Sequence, residues 1–304
     1  MTAVATEPES TSEFLEGARR KGIGFLRYVR RNPVLGVGLI ILGGLLLFVV
    51  LGHLFYDTEN FRPLSVSANE SPSLDHPLGT DRQGRDILAV LIRGIPLTLR
   101  IGLIAGAIGT GIGMILGFVS AYYGGIIDAV IKTIVDAFLT IPGLLILILV
   151  AVSLPEGGLT VDQMAIVVAA LAWLWPTRQI RAQVLVMREK SYVEIARLSG
   201  MSGPEIIVKE MMPNLMPYVT ASFVNAVAAA ILASVGLEAL GLGPFDSPTI
   251  GMTIYWNIFY SSILLGLWWW LMPPIIAIIL VFIGLFMVSA GMDEWANPRL
   301  RRRI

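Results

Sequence analysis

The first long apolar stretch of the chain, Pro33–Phe55, reads PVLGVGLIILGGLLLFVVLGHLF and decides which kind of fold this sequence can adopt. An α-helix rises about 1.5 Å per residue, so roughly 23 residues of this composition can cross the hydrocarbon core of a bilayer, which is about 30 Å thick. The stretch is longer than the apolar core of a signal peptide, and no small-residue cleavage site follows it. We therefore expect it to remain in the protein as a first membrane-spanning helix.

Five further apolar runs of spanning length follow along the chain. Together with the first they predict an all-α membrane protein with six transmembrane helices, and the even number places both termini on the same side. In the second span, glycines three or four residues apart predict close packing of helix backbones. The five runs lie near residues 96–122, 127–152, 162–183, 214–243 and 265–290.

The composition agrees with a membrane protein and excludes several functions. Of the 304 residues, 55% are hydrophobic and 14% are charged, which leaves too little polar surface to cover a soluble globule of this size. The chain has no cysteine, so disulfides, thiolate metal sites and cysteine nucleophiles are excluded. The two histidines, His53 and His76, lack metal-ligand spacing, and the net charge of zero does not indicate a nucleic-acid partner. We expect neither a metal site nor nucleic-acid binding.

The distribution of basic residues predicts the orientation of the chain in the membrane. Sixteen of the 22 Lys and Arg fall in residues 1–33, 176–213 and 291–304, and basic segments stay on the cytoplasmic side. Both termini are therefore expected in the cytoplasm. The predicted segments are a cytoplasmic N-terminal segment at 1–33, a six-span transmembrane domain at 34–290 with an outer loop at 56–95 and a cytoplasmic loop at 184–213, and a cytoplasmic tail at 291–304.

Charged residues inside spans are costly and therefore indicate either function or pairing. Asp128, Lys132 and Asp136 are four residues apart, so they share one helix face and predict a local ion-pair ladder near the cytoplasmic end of the third span. Arg100 lies near the outer end of the second span, where its long stem can reach the interface. Glu238, near the outer end of the fifth span, is a candidate for a residue that faces a pathway through the bundle and meets a substrate amine. A solvated position at the interface is the alternative.

The segment 248–262 is apolar but too short to span a bilayer. We expect a helix that lies on the outer face or dips into it, as a candidate for part of a gate. Trp268, Trp269 and Trp270 mark the outer interface of the last span.

The longest cytoplasmic connection contains the stretch Ser191–Asn214, SYVEIARLSGMSGPEIIVKEMMPN. Residues 194–198 suit a short helix, and Gly200 provides a left-handed or flexible stop. Pro204, followed by an acidic residue, is typical of a new helix start. Such a helix–turn–helix is either a knob that a partner protein grips or a solvated amphipathic loop. The residues alone leave both interpretations open.

The same stretch resembles the signature of binding-protein-dependent import permeases, in which EAA is followed by three residues, a glycine, nine residues and then I, any residue, L and P. The spacing is kept, although Ile195, Glu210 and Met212 depart from the pattern. A polar residue at the position of Glu210 is usual in the peptide-type branch. In the family this loop is the coupling helix that docks on the ATP-binding subunit, and the resemblance implies that role here. The implied coupling residues are Glu194, Ile195, Ala196, Gly200, Met201, Glu210, Met212 and Pro213.

The outer loop contains a second informative stretch, HPLGTDRQGRD, at residues 76–86. Its proline and glycines indicate a turn, and Asp81, Arg82, Arg85 and Asp86 can satisfy one another as an ion-pair cluster. This predicts a loop that is fixed against the bundle or against an external binding protein, with direct substrate contact as the alternative. The stretch resembles the HPLGTDxxGRD segment of dipeptide and oligopeptide permeases. Its candidate residues are Gly79, Thr80, Asp81, Gly84, Arg85 and Asp86.

Weaker similarity to the same permeases continues along the chain. Residues 122–128, YYGGIID, resemble the turn between the second and third spans. Residues 237–244, LEALGLGP, resemble LSFLGLG late in the fifth span, with Glu238 in place of the serine. Residues 297–299 fit the tail of the family, whereas residues 289–294 depart from its usual pattern.

The energy source and the partners follow from the resemblance. The sequence has no GxxxxGK[ST] motif and no soluble domain large enough for a nucleotide site, so energy must come from another chain. The resemblance implies the permease fold of type I ATP-binding-cassette (ABC) importers in a bacterial or archaeal plasma membrane. It implies a heterodimer with a second homologous permease subunit, two ATP-binding subunits and an extracytoplasmic substrate-binding protein. ATP and Mg²⁺ then belong to the partner subunits, and this chain is expected to have no cofactor and no catalytic residue.

The leading hypothesis is alternating-access import of dipeptides or oligopeptides delivered by the binding protein. Related machinery carries oligosaccharides, nickel or glutathione, so the cargo stays open. An autonomous channel or ion-coupled carrier is the alternative from a different class, but it would use charges at mid-depth, whereas those of this sequence lie near span ends. No Ser/His/Asp, paired-carboxylate or metal constellation indicates an enzyme.

Overall fold

The computed structural model describes residues 28–153 and 159–296, with side chains described as far as Asp293 in the last helix. The predicted N-terminal segment and C-terminal tail, including residues 297–299, therefore lie largely outside the described residues. Within those residues every regular element is a helix, and β-structure is limited to one isolated bridge between Thr80 and Asp86. The all-α prediction is confirmed.

The helices with described bounds are numbered in chain order. A 3₁₀ turn (Thr58–Phe61) follows α1, and a π-helical turn (Ile207–Met211) joins α8 to α9. The α-helices are α1 (Pro33–Phe55), α2 (Ile87–Tyr123), α3 (Gly125–Thr140), α4 (Gly143–Val152), α5 (Val161–Ala172), α6 (Leu174–Arg188), α7 (Ser191–Leu198), α8 (Gly203–Ile206), α9 (Met212–Ala239), α10 (Ile250–Phe259) and α11 (Trp268–Ala296).

Four stretches of the described chain are long and apolar enough to cross a bilayer: α1, α2, the run from α8 through α9, and α11. Helices α3 and α4 together meet the same criterion, but a bend of 86° separates them, so they form a broken fifth span. The prediction of one helix at 127–152 is therefore wrong. The backbone of Ile141 is extended (φ −84°, ψ 135°), because a residue that precedes a proline is driven away from the helical region.

The predicted fourth span, 162–183, consists of two helices rather than one. Helix α5 has 12 residues and α6 has 15, and each is too short to cross a bilayer alone. They meet at Trp173, and Pro176 in the first turn of α6 has no N–H to continue the hydrogen bonds of α5. The described residues thus contain four or five apolar spans. A total of six stays a prediction, because it requires α5 and α6 to cross the bilayer together as one span.

Helix α2 lies at the centre of the bundle and packs against α5, α6 and α9. A Cβ atom added at Gly106 would lie 2.9 Å from the backbone nitrogen of Val227 in α9, and one added at Gly113 would lie 2.8 Å from that of Thr177 in α6. Helices can approach this closely only because these side chains are missing. The packing role predicted for the glycines of the second span is confirmed for Gly102, Gly106, Gly109, Gly113 and Gly117, but not for Gly111, which has no neighbouring atom within 4 Å of an added Cβ.

The same helix joins the two ends of the bundle. It begins after Asp86 in the loop 56–95 and ends at Tyr123, next to the loop that carries α7 and α8. Its 37 residues, with Pro96 inside the helix, correspond to a length of about 55 Å. Helix α2 therefore connects the two motif regions of the sequence, residues 76–86 at one end of the bundle and residues 191–214 at the other.

Candidate functional site

Residues 190–213, called the 190–213 element from here on, form a helix, a turn and a second helix at one end of the bundle. Helix α7 ends at Leu198, and Gly200 two residues later has a φ of +83°. The Gly200 N–H donates to the Arg197 carbonyl oxygen at 3.1 Å, and the Met201 N–H donates to that of Ala196 at 3.2 Å. This bond pattern closes a helix end around a left-handed residue, which favours glycine. The helix stop predicted at Gly200 is confirmed.

One side of the element is buried against the bundle. Its buried side chains share an apolar cluster with Phe118 of α2 and Val184 of α6. Because the cluster includes residues from both helices of the element, neither helix can shift without disturbing α2 and α6. The buried anchors, each at most 6% exposed, are Val193, Ala196, Ile206 and Met211.

The opposite side of the element carries exposed apolar side chains. Ile195 is 62% exposed and Leu198 is 82% exposed, with the exposed residues Glu194, Arg197 and Gly200 beside them. Exposed apolar groups rimmed by charges are typical of a protein-docking surface. The sequence singled out Glu194, Ile195 and Gly200 but missed Leu198. Its spacing of three from Ile195, which places both on one helix face, could have identified it.

The remaining predicted coupling residues lie at the second half of the element. Pro213 is exposed, whereas Met201, Glu210 and Met212 are half-buried. Burial, together with the charge of Glu210, raises the pKa of the Tyr192 hydroxyl. Tyr192 belongs to α7, so Glu210 acts electrostatically across the two halves of the element.

Two arginines of α6 tie together the helix ends beside the element. Arg181 donates from Nε and Nη2 to the two carboxylate oxygens of Asp128 in α3, each at 2.6 Å. Arg188 donates from Nη1 to the carbonyl oxygen of Ala121 in α2 at 2.8 Å. A bidentate arginine–carboxylate pair fixes orientation as well as distance. Helices α2, α3 and α6 are therefore linked directly next to α7.

The ion-pair ladder predicted along α3 is wrong. Asp128 pairs with Arg181, and Asp136 lies 3.8 Å from Arg178, so both carboxylates find their partners on α6. Lys132 forms no ion pair within the described residues. Residues four apart do share a helix face, but here a facing helix presents two arginines whose planar guanidinium groups suit carboxylates better than a lysine does.

The other charged span residues also have partners inside the chain. Arg100 pairs with Asp162 in the first turn of α5 at 2.8 Å.

Glu238 is fully buried, and its Oε2 accepts hydrogen bonds from Thr249 Oγ1 at 2.7 Å and from the Met252 N–H at 3.1 Å. The solvated position considered for Glu238 is therefore wrong, and its pathway role stays a prediction. In the described part of the chain, no group of three or more His, Asp or Glu could hold a metal ion.

Asp81 organises the turn in the loop 56–95. Its Oδ1 accepts from the N–H groups of Gln83 and Arg85 at 2.8 and 2.9 Å, and its Oδ2 accepts from Arg85 Nε at 2.6 Å. Both side chains of this ion pair are at most 6% exposed. Gly84 has a φ of +69°, and a Cβ there would lie 2.5 Å from the Val66 carbonyl oxygen. The turn therefore requires glycine at this position.

Asp86 joins three segments at the start of α2. Its Oδ1 caps the helix by accepting from the Ala89 N–H at 2.9 Å. Its Oδ2 accepts from the Tyr56 hydroxyl at 2.8 Å and lies 2.6 Å from His76 Nδ1. Burial and the hydrogen bond to Asp86 raise the pKa of Tyr56. A single carboxylate thus holds the end of α1, the loop and the start of α2 together.

Thr80 and Gly79 attach the stretch to the rest of the loop and to the last helix. Thr80 Oγ1 donates to the Ser67 carbonyl oxygen at 2.7 Å and accepts from the Glu70 N–H at 2.8 Å. A Cβ at Gly79, which has a φ of +75°, would lie 2.6 Å from Trp269 Cδ1 at the start of α11.

The four charges of this stretch satisfy one another only in part. Asp81 and Arg85 form the expected pair, but Asp86 has other partners, and Arg82 lies 5.5 Å from the ring centre of Tyr260. The original expectation is wrong for these two residues, because the turn points them toward α1 and toward the segment after α10. Buried contacts of this kind favour a structural role for the stretch over substrate contact, and that role stays a prediction.

The family described as "Binding-protein-dependent transport system inner membrane component" matches residues 109–302, which include the whole 190–213 element. The chain belongs to this family. It is therefore a membrane-embedded transport component, in agreement with its several apolar spans, and family members of this kind are not enzymes.

Curated relatives align with most of the chain. The dipeptide transport system permease protein DppC of Bacillus subtilis is 31% identical over 276 residues, which cover 91% of this chain and 85% of the relative. The oligopeptide transport system permease protein OppC of the same species is 30% identical over 281 residues, with 90% and 88% covered. OppC of Mycobacterium tuberculosis is 28% identical over 246 residues, with 81% and 82% covered. The resemblance to peptide permeases that the sequence motifs indicated is confirmed.

Proposed function

We propose that this chain is a permease subunit of an ATP-driven importer that moves peptides delivered by an extracytoplasmic binding protein. The observation that carries the proposal is the 190–213 element, which exposes Ile195 and Leu198 on one side and is buried against the bundle on the other. The names of the relatives, which refer to dipeptide and oligopeptide transport, support a peptide cargo. Oligosaccharides, nickel or glutathione would use the same machinery.

In this proposal the element receives a movement from an ATP-binding subunit and passes it to the spans. Gly203 lies against α2, since a Cβ there would be 3.0 Å from Tyr122 Cε1, and Arg188 binds the carbonyl oxygen of Ala121 in the same helix. Helix α2 then carries the movement to Asp86 in the outer loop. A displacement of the element at the cytoplasmic face thereby moves the loop at the outer face. Alternating access requires such coupling between the two faces.

The proposed assembly is a heterodimer of this chain with a homologous permease, two ATP-binding subunits and a binding protein in a bacterial or archaeal plasma membrane. We propose six spans in the type I importer fold, with both termini in the cytoplasm. The broken span supports a permease partner or lipid on this side, because Ile126 and Val130 of α3 and Leu145 and Leu149 of α4 are more than half exposed in the single chain. ATP and Mg²⁺ are bound by the ATP-binding subunits, and this chain has no catalytic residue.

Reconstitution of the complete transporter in liposomes tests the proposal. With its cognate subunits and binding protein, it is expected to take up radiolabelled trialanine only when ATP is supplied. Leu198→Asp places a charge on the docking surface and is expected to lower uptake about tenfold. Leu74→Asp, at a still more exposed leucine of the outer loop, is the matched control and is expected to leave uptake unchanged. Uptake by this chain alone, or normal uptake with Leu198→Asp, would contradict the proposal.

A further inference from the structure

The short helix α10 has an unusual N-terminus, because side chains from two different spans bind it. A helix begins with N–H groups that have no partner within the helix itself. In α10 the first bond inside the helix runs from the Thr253 N–H to the Thr249 carbonyl oxygen at 2.9 Å. The N–H groups of Ile250, Gly251 and Met252 therefore need partners from elsewhere.

Thr98 of α2 and Glu238 of α9 supply partners to two of these groups, the N–H groups of Ile250 and Met252. The Ile250 N–H donates to Thr98 Oγ1 at 3.0 Å. The Met252 N–H and the Thr249 hydroxyl both donate to Glu238 Oε2, at 3.1 and 2.7 Å. A carboxylate at this place also complements the positive end of the helix dipole. Glu238 thus adds a cap from a neighbouring span to the cap from the helix's own segment, where Thr249 Oγ1 also accepts from the Met252 N–H at 3.3 Å.

Two glycines make room for the Glu238 side chain. A Cβ added at Gly243 would lie 2.6 Å from Glu238 Cγ, and one added at Gly251 would lie 2.7 Å from Glu238 Cβ. Glu238 is 0% exposed between them. The serine that stands at this place in the peptide-permease pattern is too short to reach both the Thr249 hydroxyl and the Met252 N–H.

Glu238 has no competing partner within the described residues. No basic side chain forms an ion pair with it there, and its second oxygen, Oε1, is buried without a hydrogen-bond partner. The contacts of the carboxylate are therefore those to the start of α10. These contacts join α9 to α10. Within the described residues, the Glu238 carboxylate makes no polar contact outside the start of α10.

The far end of α10 is attached to the last span. Asn257 Nδ2 donates to the Trp270 carbonyl oxygen at 3.4 Å, and Asn257 Oδ1 accepts from Ser262 Oγ at 2.7 Å. With its first turn held by α2 and α9 and its last turn held by α11, α10 is fixed at both ends at the outer side of the bundle.

We propose that Glu238 is a positioning residue for transport, which fastens α10 to the end of α9 so that the two helices move as one body. This inference rests on the proposed function, because it gives α10 a place in the moving part of an importer. It competes with the prediction that Glu238 binds a substrate amine. Glutamine separates the two roles, since its amide oxygen can still accept from Thr249 and Met252 but carries no charge.

The first test is hydrogen exchange of the full chain in lipid nanodiscs. Glu238→Ser is expected to speed exchange of the amides at residues 250–253 by about tenfold, because the first turn of α10 then keeps only the cap from Thr249. Glu238→Gln is expected to stay close to wild type. The matched control is Ser234→Ala, one turn earlier on α9, where a fully buried hydroxyl bonds only to Ile231 of its own helix. Unchanged exchange in Glu238→Ser would overturn the proposal.

The second test replaces the hydrogen bonds by a covalent bond. The chain has no cysteine, so the pair Glu238→Cys and Gly251→Cys introduces the only two thiols. The Cβ separation of 2.7 Å is shorter than the roughly 3.5–4.5 Å of a disulfide, so a small outward shift lets the bond form. In the complete transporter, the oxidised pair is expected to take up trialanine within about twofold of wild type, and the reduced pair about tenfold more slowly.

Each outcome of these tests decides a specific point. An oxidised pair that stays inactive would overturn the proposal, because the two helices would then have to separate during transport. Glu238→Gln with normal exchange but lost uptake would also overturn it, in favour of substrate contact. Wild-type transporter without ATP-dependent uptake would refute the proposed function instead, and the exchange experiment would still test the role of Glu238.

Discussion

The carboxylate of Asp81 in the loop 56–95 shows how much one residue can depend on its partner. It is buried, and it receives two backbone N–H groups and the Arg85 side chain. A buried ion pair adds little to stability compared with apolar residues of the same shape, but the loss of one partner leaves an uncompensated charge. Arg85 is therefore needed less for attraction than to satisfy Asp81.

At this scale we predict that Arg85→Ala lowers the free energy of unfolding by about 3–5 kcal/mol. The measurement is the denaturant midpoint of the purified chain in detergent, followed by tryptophan fluorescence. Arg62→Ala is the control, because Arg62 also forms an ion pair, with Glu59 at 2.7 Å, but its side chain is 67% exposed. Arg62→Ala is expected to lower the free energy of unfolding by only about 0–1 kcal/mol. Equal losses in the two variants would show that burial of the Asp81 pair is not what matters.

At the scale of the element, the 190–213 element combines a rigid attachment with an exposed apolar surface. Gly200 lies in the turn between these helices, and no other atom lies within 4 Å of a Cβ added there. The requirement for glycine at this point therefore comes from the backbone angle and not from crowding. This allows a test in which geometry changes while the docking surface keeps its side chains.

We predict that Gly200→Ala destabilises the turn by about 1 kcal/mol, because an L-residue is strained at a φ of +83°. Trypsin cleavage after the exposed Arg197, in the full chain in nanodiscs, is expected to become about fivefold faster. Gly111→Ala is the control, since Gly111 has equal free space around its Cβ position but lies inside α2 with ordinary helical angles. That variant should not become more sensitive, and a similar rise in both would rule out the backbone explanation.

At the scale of the whole molecule, the predicted orientation in the membrane rests on three basic segments, two of which lie largely outside the described residues. The absence of cysteine makes this orientation directly testable with single cysteines. We predict that Ser71→Cys, in the outer loop, reacts with a membrane-impermeant maleimide in intact spheroplasts. Ser199→Cys, at the turn of the 190–213 element, should react only after the membrane is permeabilised. Both residues are exposed, so labelling of Ser199→Cys in intact spheroplasts would contradict the predicted topology.

The sequence by itself determined that the chain is an all-helical membrane protein, where most spans lie, and which family it belongs to. These properties depend on local composition and spacing. Examples are apolar runs of spanning length, Gly200 with its left-handed backbone conformation, and motifs such as residues 76–86. It also contained unused information, because Pro142 and Pro176 stand inside the two apolar runs that the structure divides.

Only the tertiary structure decided which charges meet. Asp128 and Asp136 pair with arginines of α6 rather than with Lys132, Asp86 binds Tyr56 and lies against His76, and Glu238 is buried at the start of α10. The physical reason is that helix periodicity fixes neighbours on the same helix, whereas partners on other helices depend on how the bundle packs. That packing is set by close approaches such as those at Gly106 and Gly113.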